Sequence, residues 1–522
     1  MAARFKASHA GSTLLVLASS LYLYCFTFFP PFLPVFYGQS DSDIYLAHAQ
    51  RMYEGELIYR DFFEFLTPGA TLVNLLFFKL FGLRAWIPNL LIVLLGAGLV
   101  WVGVAISRKL MSPGVALLPG ALFLVDARYY FYDPGHHWYS SLAVLAGIAV
   151  LIERRTLMRI AAAGCFCGLS ACFTQTRGLV AAVGFVVFLW WDSRQRQTGR
   201  RDFFRNMAWF VAGFAAILLL VNGYFIWKAG PARFFWCTVV YVLKYYPRQA
   251  DWNSILVFPA NLHGGAAAPH SLRLYENIAK TFFDVAAAPC ICILVLARYL
   301  WRAGKKSWAD WDRPVLVAIV GLFLFLSMAS APAPSRILPG SLPGFILLGW
   351  LLDSRGKLAR SFWALCTVGV LAAATFSVTR SRPNEIGVLT TAQGKMGFSE
   401  DGDYVFSEYQ WVQQHTQPGE FFYRAGFPDI NFYLDLRNPT PLPRVTNNGY
   451  TTPGQVKEVI DGLERHPTRY IAWNTRYLDP IPAWEDPSDA HLEPLRDYIR
   501  AHYVPVEFFE GPGEEIWERR TQ

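Results

Sequence analysis

GQSDSDIYLAHAQRMYEGELIYRDFFEFLTPG, residues 38–69, is the longest polar interruption in the apolar N-terminal half of this chain. It carries six carboxylates, Asp41, Asp43, Glu54, Glu56, Asp61 and Glu64. A run of apolar residues long enough to cross a membrane precedes it, and another hydrophobic segment begins at Pro68. Asp41, Tyr45, His48 and Met52 are spaced as one stripe of a short amphipathic helix that Gly55 would end. The stretch therefore reads as an acidic loop, held at a membrane face, that carries a reaction centre.

The rest of the chain supports a membrane setting. Of 522 residues, 53% are apolar and only 16% charged, against about 25% charged in soluble domains. Mean hydropathy is +0.26. Several apolar runs approach the roughly 20 residues needed to cross about 30 Å of hydrocarbon. The first run leads straight into the acidic loop without a small-residue cleavage site, so it reads as a span rather than a signal peptide. A net charge of +8 would suggest nucleic acid in a soluble protein; here arginines in loops between spans account for it. The eight cysteines (25, 165, 167, 172, 237, 290, 292 and 366) lie in or beside apolar runs and read as small core residues.

Eleven spans are expected, at about 12–36, 86–107, 113–126, 137–152, 159–174, 178–191, 206–228, 282–302, 313–330, 336–352 and 360–378. The shorter stretch 68–82 reads as an interfacial or re-entrant helix. This count places Arg108/Lys109, the 153–159 loop, the Arg-rich 192–205 loop, 302–306 and Arg355/Lys357/Arg360 on one side. They are the short basic loops expected in the cytoplasm. The acidic loop (37–85), residues 229–281 and everything after 378 fall on the other side. From about residue 393 charge rises and short helices alternate with short strands. Residues 1–392 are therefore expected to form the membrane domain and 393–522 a small α/β domain outside the cytoplasm, large enough for its own core.

This topology gathers the unusual polar residues on the outer face. Asp41, Asp43, Tyr59, Asp61 and Glu64 lie in the first loop; Asp126, Arg128, Asp133, His136 and His137 in the second. Gln175, Thr176 and Arg177 lie in a tight turn, Lys244 and Arg248 in the long loop, and Arg336 at the entry to the tenth span. Carboxylates on one loop and cations at several helix ends suit an anionic lipid head group. The same residues have plainer readings. Asp41 would serve as an N-cap, and Asp61 and Glu64 as solvated loop charges. Arg177 and Arg336 would serve as snorkelling anchors. The two histidines would be helix-start polar residues or a metal pair, and Lys244 and Arg248 a lipid-surface patch.

The pattern Asp41-SDI-Tyr45-LAHA, Glu54-Gly55, Tyr59-Arg60-Asp61-FF-Glu64, Thr67-Pro68 resembles the first outer loop of GT-C glycosyltransferases. The similar branch holds protein O-mannosyltransferases, lipid A aminoarabinose transferases and galacturonosyltransferase-like proteins. Asp41 and Glu64 match that family's two acidic positions. Arg336-ILPGSLPG is similar to its lipid-phosphate element, and Arg177 falls near a comparable basic position. Thr67-Pro68 stands where a double proline is frequent, and Arg177 where lysine is common. The resemblance covers about residues 10–380.

It implies an integral membrane enzyme that moves a sugar from a polyprenyl-phosphate donor to a lipid, glycan or protein acceptor, with inversion. The implied setting is a bacterial inner membrane, with a cytoplasmic N-terminus. The implied catalytic residues are Asp41 and Glu64. Asp43, Tyr59, Asp61, Arg128, His137, Arg177, Lys244 and Arg336 are the expected substrate-binding residues. No cofactor and no nucleic acid is expected, and a divalent cation stays open. The chemistry agrees: a phosphate leaving group needs charge stabilisation, which a guanidinium gives, and the acceptor hydroxyl needs a base. No glycine-rich P-loop is present for a nucleotide-sugar donor. A transporter or flippase of lipid-linked sugar, or a non-catalytic assembly protein, are the other classes open. A transporter would call for midplane charges or paired repeats.

Overall fold

A computed structural model describes residues 2–38, 40–127, 134–245, 272–302, 310–328, 334–353, 357–380, 383–400, 403–426, 428–446, 451–479 and 492–521. Arg128, Asp133 and Arg248 lie outside the described residues. The chain divides into two compact units: residues 1–25, 92–223 and 250–382, and residues 26–91, 224–249 and 383–522.

The first unit is helical and has the composition of a membrane protein. Ile87–Ser107, Arg200–Ala229, Ser361–Thr379 and the N-terminal Ala10–Thr27 are long and apolar enough to cross a bilayer. Arg200–Ala229 leaves Leu219 and Leu220 exposed at 66% and 76%. An outward apolar face of this kind is what lipid-facing helices present. Further helices fill the interior: His136–Leu151, Leu157–Phe173, Gln175–Gln195, Asp312–Leu326 and Leu342–Asp353. Their core runs through Val144, Ile148, Phe185, Phe188, Leu316 and Leu342. Close approach depends on small residues, as in membrane helices generally. A Cβ at Gly164 would meet the Phe210 carbonyl oxygen at 2.0 Å. The expected span 336–352 is instead broken into Pro334–Ile337, the 3₁₀ turn Leu338–Gly340 and Leu342–Asp353. Pro339 and Pro343 cannot donate to the ladder and interrupt it there.

One end of this unit collects the loops expected on one side. Lys109 pairs with Glu153. Arg313 donates to the Lys109 carbonyl at 2.8 Å. Arg155, nearly buried, meets Asp312 at 3.1 Å, and Ser112 donates to Asp353 at 2.9 and 3.0 Å.

The second unit centres on a four-stranded sheet in the order Phe422–Arg424, Tyr470–Asn474, Glu514–Arg519, Tyr503–Phe509. The first pair is parallel and the other two antiparallel. Helices Asp403–His415, Pro453–Arg465 and Glu493–His502 accompany it. Thr452 and Gln455 form a capping box at the start of the second, with Pro453 in its first turn. A hairpin, Glu385–Thr391 with Gly394–Ser399, precedes them and was not expected from the sequence.

The expected division at 392/393 does not describe this unit. Phe36 packs on Phe398, Tyr409 and Tyr433 at 4.8, 4.9 and 5.3 Å between ring centres. Tyr59, Phe62 and Phe63 share a core with Tyr423, Trp473 and Tyr503. Arg51 donates to the Thr440 carbonyl at 2.9 Å, and Phe63 N–H to that of Pro441 at 2.8 Å. The α/β segment is thus built together with the acidic loop, whose aromatic residues complete its core. Helix Gly69–Phe81, at about 1.5 Å per residue, reaches only about two-thirds of the hydrocarbon thickness.

Candidate functional site

In the second unit, the acidic loop forms helix Asp41–Tyr53. Ser40 is its N-cap, and Asp43 completes the cap by accepting from Ser40 N–H at 2.8 Å. This corrects the capping reading of Asp41. Asp41 is the first helical residue, half-buried, and its carboxylate makes no hydrogen bond or ion pair among the described residues. Asp43 is buried and committed to the cap.

The other loop residues hold the loop itself. Glu64 is buried, not solvated. Its Oε1 accepts from the N–H groups of Phe65 and Leu66 at 2.7 and 2.9 Å. Its Oε2 lies 3.3 Å from Nδ1 of His48, whose ring is fully buried against Phe62. The orientation falls short of a hydrogen bond, so the contact is electrostatic. Tyr59 is completely buried with a positive φ of 69°, and its hydroxyl donates to the Leu66 carbonyl at 2.5 Å. Asp61 accepts from Leu57 N–H at 2.7 Å and takes both arms of Arg60 at 2.7 and 2.8 Å. These bonds, Arg60 foremost, hold its carboxyl below the usual range. Tyr59 and Asp61 thus shape the loop, whereas the Asp41 carboxylate is uncommitted among the described residues. Lys244 is exposed in Tyr241–Tyr245, its ammonium 5.2 Å from the Tyr245 ring centre.

In the first unit, the end opposite the basic loops brings together Arg177, His137 and Arg336. Gly178, where an added Cβ would meet the backbone of Ala171 at 2.2 Å, lets Leu157–Phe173 and Gln175–Gln195 close tightly around Thr174. Arg177 is thereby carried inward and is only 1% exposed, so the snorkelling reading does not hold. One arm donates to the His137 carbonyl at 2.6 Å and to Ser141 Oγ at 2.9 Å. The other donates to the Arg336 carbonyl at 2.8 Å. Its Nε has no partner, and it makes no ion pair with a carboxylate among the described residues. The charge acting on it through space is a second cation, Arg336.

A hydroxyl network supports this centre. His136 Nδ1 lies 2.7 Å from Thr174 Oγ1, which donates to Ser140 Oγ at 3.2 Å, and Ser140 lies 3.5 Å from Arg177. The His136 and His137 ring centres lie 3.8 Å apart with the planes tilted by 38°. Ser140, Ser141 and Thr174 were not singled out in the sequence; Ser and Thr within an apolar helix are ordinary residues there. A buried guanidinium without a counter-charge is costly, and an anion is what it lacks. Among the described residues no three histidine, cysteine, aspartate or glutamate side chains are grouped to hold a metal.

No family model and no curated protein matches the chain. Solved structures do. ArnT from Cupriavidus metallidurans, bound to undecaprenyl phosphate, aligns with a TM-score of 0.53 and 12% identity over 99% of this chain and 98% of that one. The fold is that of the GT-C membrane glycosyltransferases. The GT-C oligosaccharyltransferase AglB from Archaeoglobus fulgidus, with an inhibitory peptide and a dolichol-phosphate, aligns at a TM-score of 0.50 and 10% identity, over 89% of this chain and 69% of that one. An apo oligosaccharyltransferase from the same organism gives 0.50 and 11%, over 89% and 70%. At these identities the GT-C likeness is one of fold.

Proposed function

We propose that this chain is a membrane glycosyltransferase that moves a sugar from a polyprenyl-phosphate donor to an acceptor hydroxyl on an envelope lipid, glycan or protein. The observation that carries the reading is Arg177, a fully buried guanidinium without a carboxylate partner among the described residues. The GT-C fold agrees, since the similar ArnT and AglB structures hold undecaprenyl phosphate and dolichol-phosphate.

In this reading Arg177 and Arg336 take the donor phosphate, with His137 beside them. The acceptor oxygen attacks the anomeric carbon as the bond from that carbon to the phosphate oxygen breaks. Its electron pair leaves with the phosphate, whose charge the guanidinium groups stabilise. The hydroxyl proton passes to Asp41, whose carboxylate is uncommitted among the described residues. A single displacement inverts the sugar. Glu64 acts by holding the loop that carries Asp41.

The membrane is taken to be a bacterial inner membrane crossed about eleven times, with the N-terminus cytoplasmic. Reporters fused after residues 200, 305 and 357 then read as cytoplasmic, and one at the C-terminus as outside; a cytoplasmic C-terminus overturns the count. The function is tested by mass spectrometry of envelope lipids and glycans from cells with and without the chain. A sugar missing from one acceptor, together with an accumulated polyprenyl-linked form, is expected; identical profiles reject the reading.

A further inference from the structure

The first unit holds a cavity of ≈ 470 Å³ that the reaction above does not use. It lies at the end where the basic loops converge, lined by Ser112, Val115, Leu118, Asp353, Trp363 and Thr367. Its size falls within the range of small-ligand sites. Trp363 is only 6% exposed, packed with Leu118 and Val370, and its indole Nε1–H has no hydrogen-bond partner among the described residues. A buried donor left unpaired is costly, so an acceptor in the cavity is favoured. Asp353, half-buried, accepts from the N–H and hydroxyl of Ser112. It makes no ion pair among the described residues.

We infer that this cavity binds the head and glycerol region of an aminophospholipid. Trp363 stands two residues inside the apolar stretch Ser361–Thr379, the depth at which ester carbonyls lie and at which tryptophans anchor. An ester carbonyl accepts from the Trp363 indole. A primary ammonium on the head group pairs with Asp353 and makes hydrogen bonds that a quaternary choline cannot. An anionic glycerol head group would face the Asp353 carboxylate and is disfavoured. The apolar wall of Val115 and Leu118 takes the start of an acyl chain.

The test is thermal unfolding of the delipidated full-length protein in detergent, titrated with phosphatidylethanolamine, phosphatidylcholine or phosphatidylglycerol. The ethanolamine lipid is expected to raise the melting temperature at the lowest concentration. Trp363→Phe leaves the Asp353–Ser112 bonds intact and removes only the indole donor; it is expected to weaken that lipid's half-effect about fivefold. Asp353→Asn is expected to erase the preference over phosphatidylcholine. Equal response to all three lipids in the wild type, as for a general lipid annulus, overturns the inference. So does an unchanged titration in Trp363→Phe.

Discussion

Arg177 donates a 2.8 Å hydrogen bond to the backbone carbonyl of Arg336 while its other arm holds His137 and Ser141. One guanidinium thus joins the 137–141 segment to residue 336, which lies 159 positions from Arg177 itself, and brings a second cation alongside. Two neighbouring positive groups repel. Both arms of Arg177 are held by fixed oxygens, so its guanidinium cannot swing away from that neighbour.

Arg336→Ala is expected to weaken polyprenyl phosphate binding by about 10- to 100-fold, from the loss of a charged contact of about 1.5–3 kcal/mol. Arg177→Lys is expected to lose as much while keeping the charge, because a single ammonium cannot reach both the 137–141 segment and residue 336. Binding measured by native mass spectrometry checks both. Wild-type binding in Arg177→Lys would show that the forked geometry is irrelevant.

Glu64 separates structure from chemistry by two substitutions. Glu64→Gln keeps an oxygen for the Phe65 and Leu66 amides and is expected to fold normally. Glu64→Ala strands both amides at roughly 1–3 kcal/mol each. Faster hydrogen exchange at 65 and 66 in the alanine variant alone is the expected result; matching exchange in both variants argues against the clamp.

Arg424 lies fully buried among Glu408, Asp429 and Glu514, at 2.9, 2.7 and 3.3 Å. Burial, outweighing Arg424, pushes the Glu408 carboxyl well above the usual carboxylate range. The folded chain then keeps a proton that the unfolded chain has lost. This stabilisation is complete below the unfolded value of about 4.3. It falls as pH rises toward the raised folded value. Glu408→Gln, always neutral, is expected to melt with a weaker decline above about pH 5. Parallel melting curves for wild type and variant would show that Glu408 ionises normally.

Much of this was legible in the sequence because periodicity and loop charge are local signals. The alternation of short helices and strands expected after about residue 393 is met by helix Pro453–Arg465, strand Tyr470–Asn474 and helix Glu493–His502. The convergence of Lys109, Glu153, Asp312 and Asp353 at one end of the helical unit follows the sorting of basic loops. The shared core of Phe36 with Phe398 and Tyr409 was not legible, since nothing in composition pairs residues so far apart. Nor was the role of Glu64, which reads as a loop charge until its two amide partners are known. Nor was the cap at Ser40, because serine and aspartate are about equally good at that position and Asp41 stands beside it.

Asp41→Asn gives the most direct measurement. The variant keeps the Ser40–Asp43 cap and should fold and insert as the wild type does. It removes the proton acceptor, a loss of at least about 100-fold in transfer. Lipid extracts of cells carrying only Asp41→Asn are examined by mass spectrometry for polyprenyl-phosphate-linked sugar and for the glycosylated acceptor. Accumulated donor and absent product are expected, with normal amounts of the protein in the membrane. Donor and product at wild-type levels would contradict Asp41 as the proton acceptor.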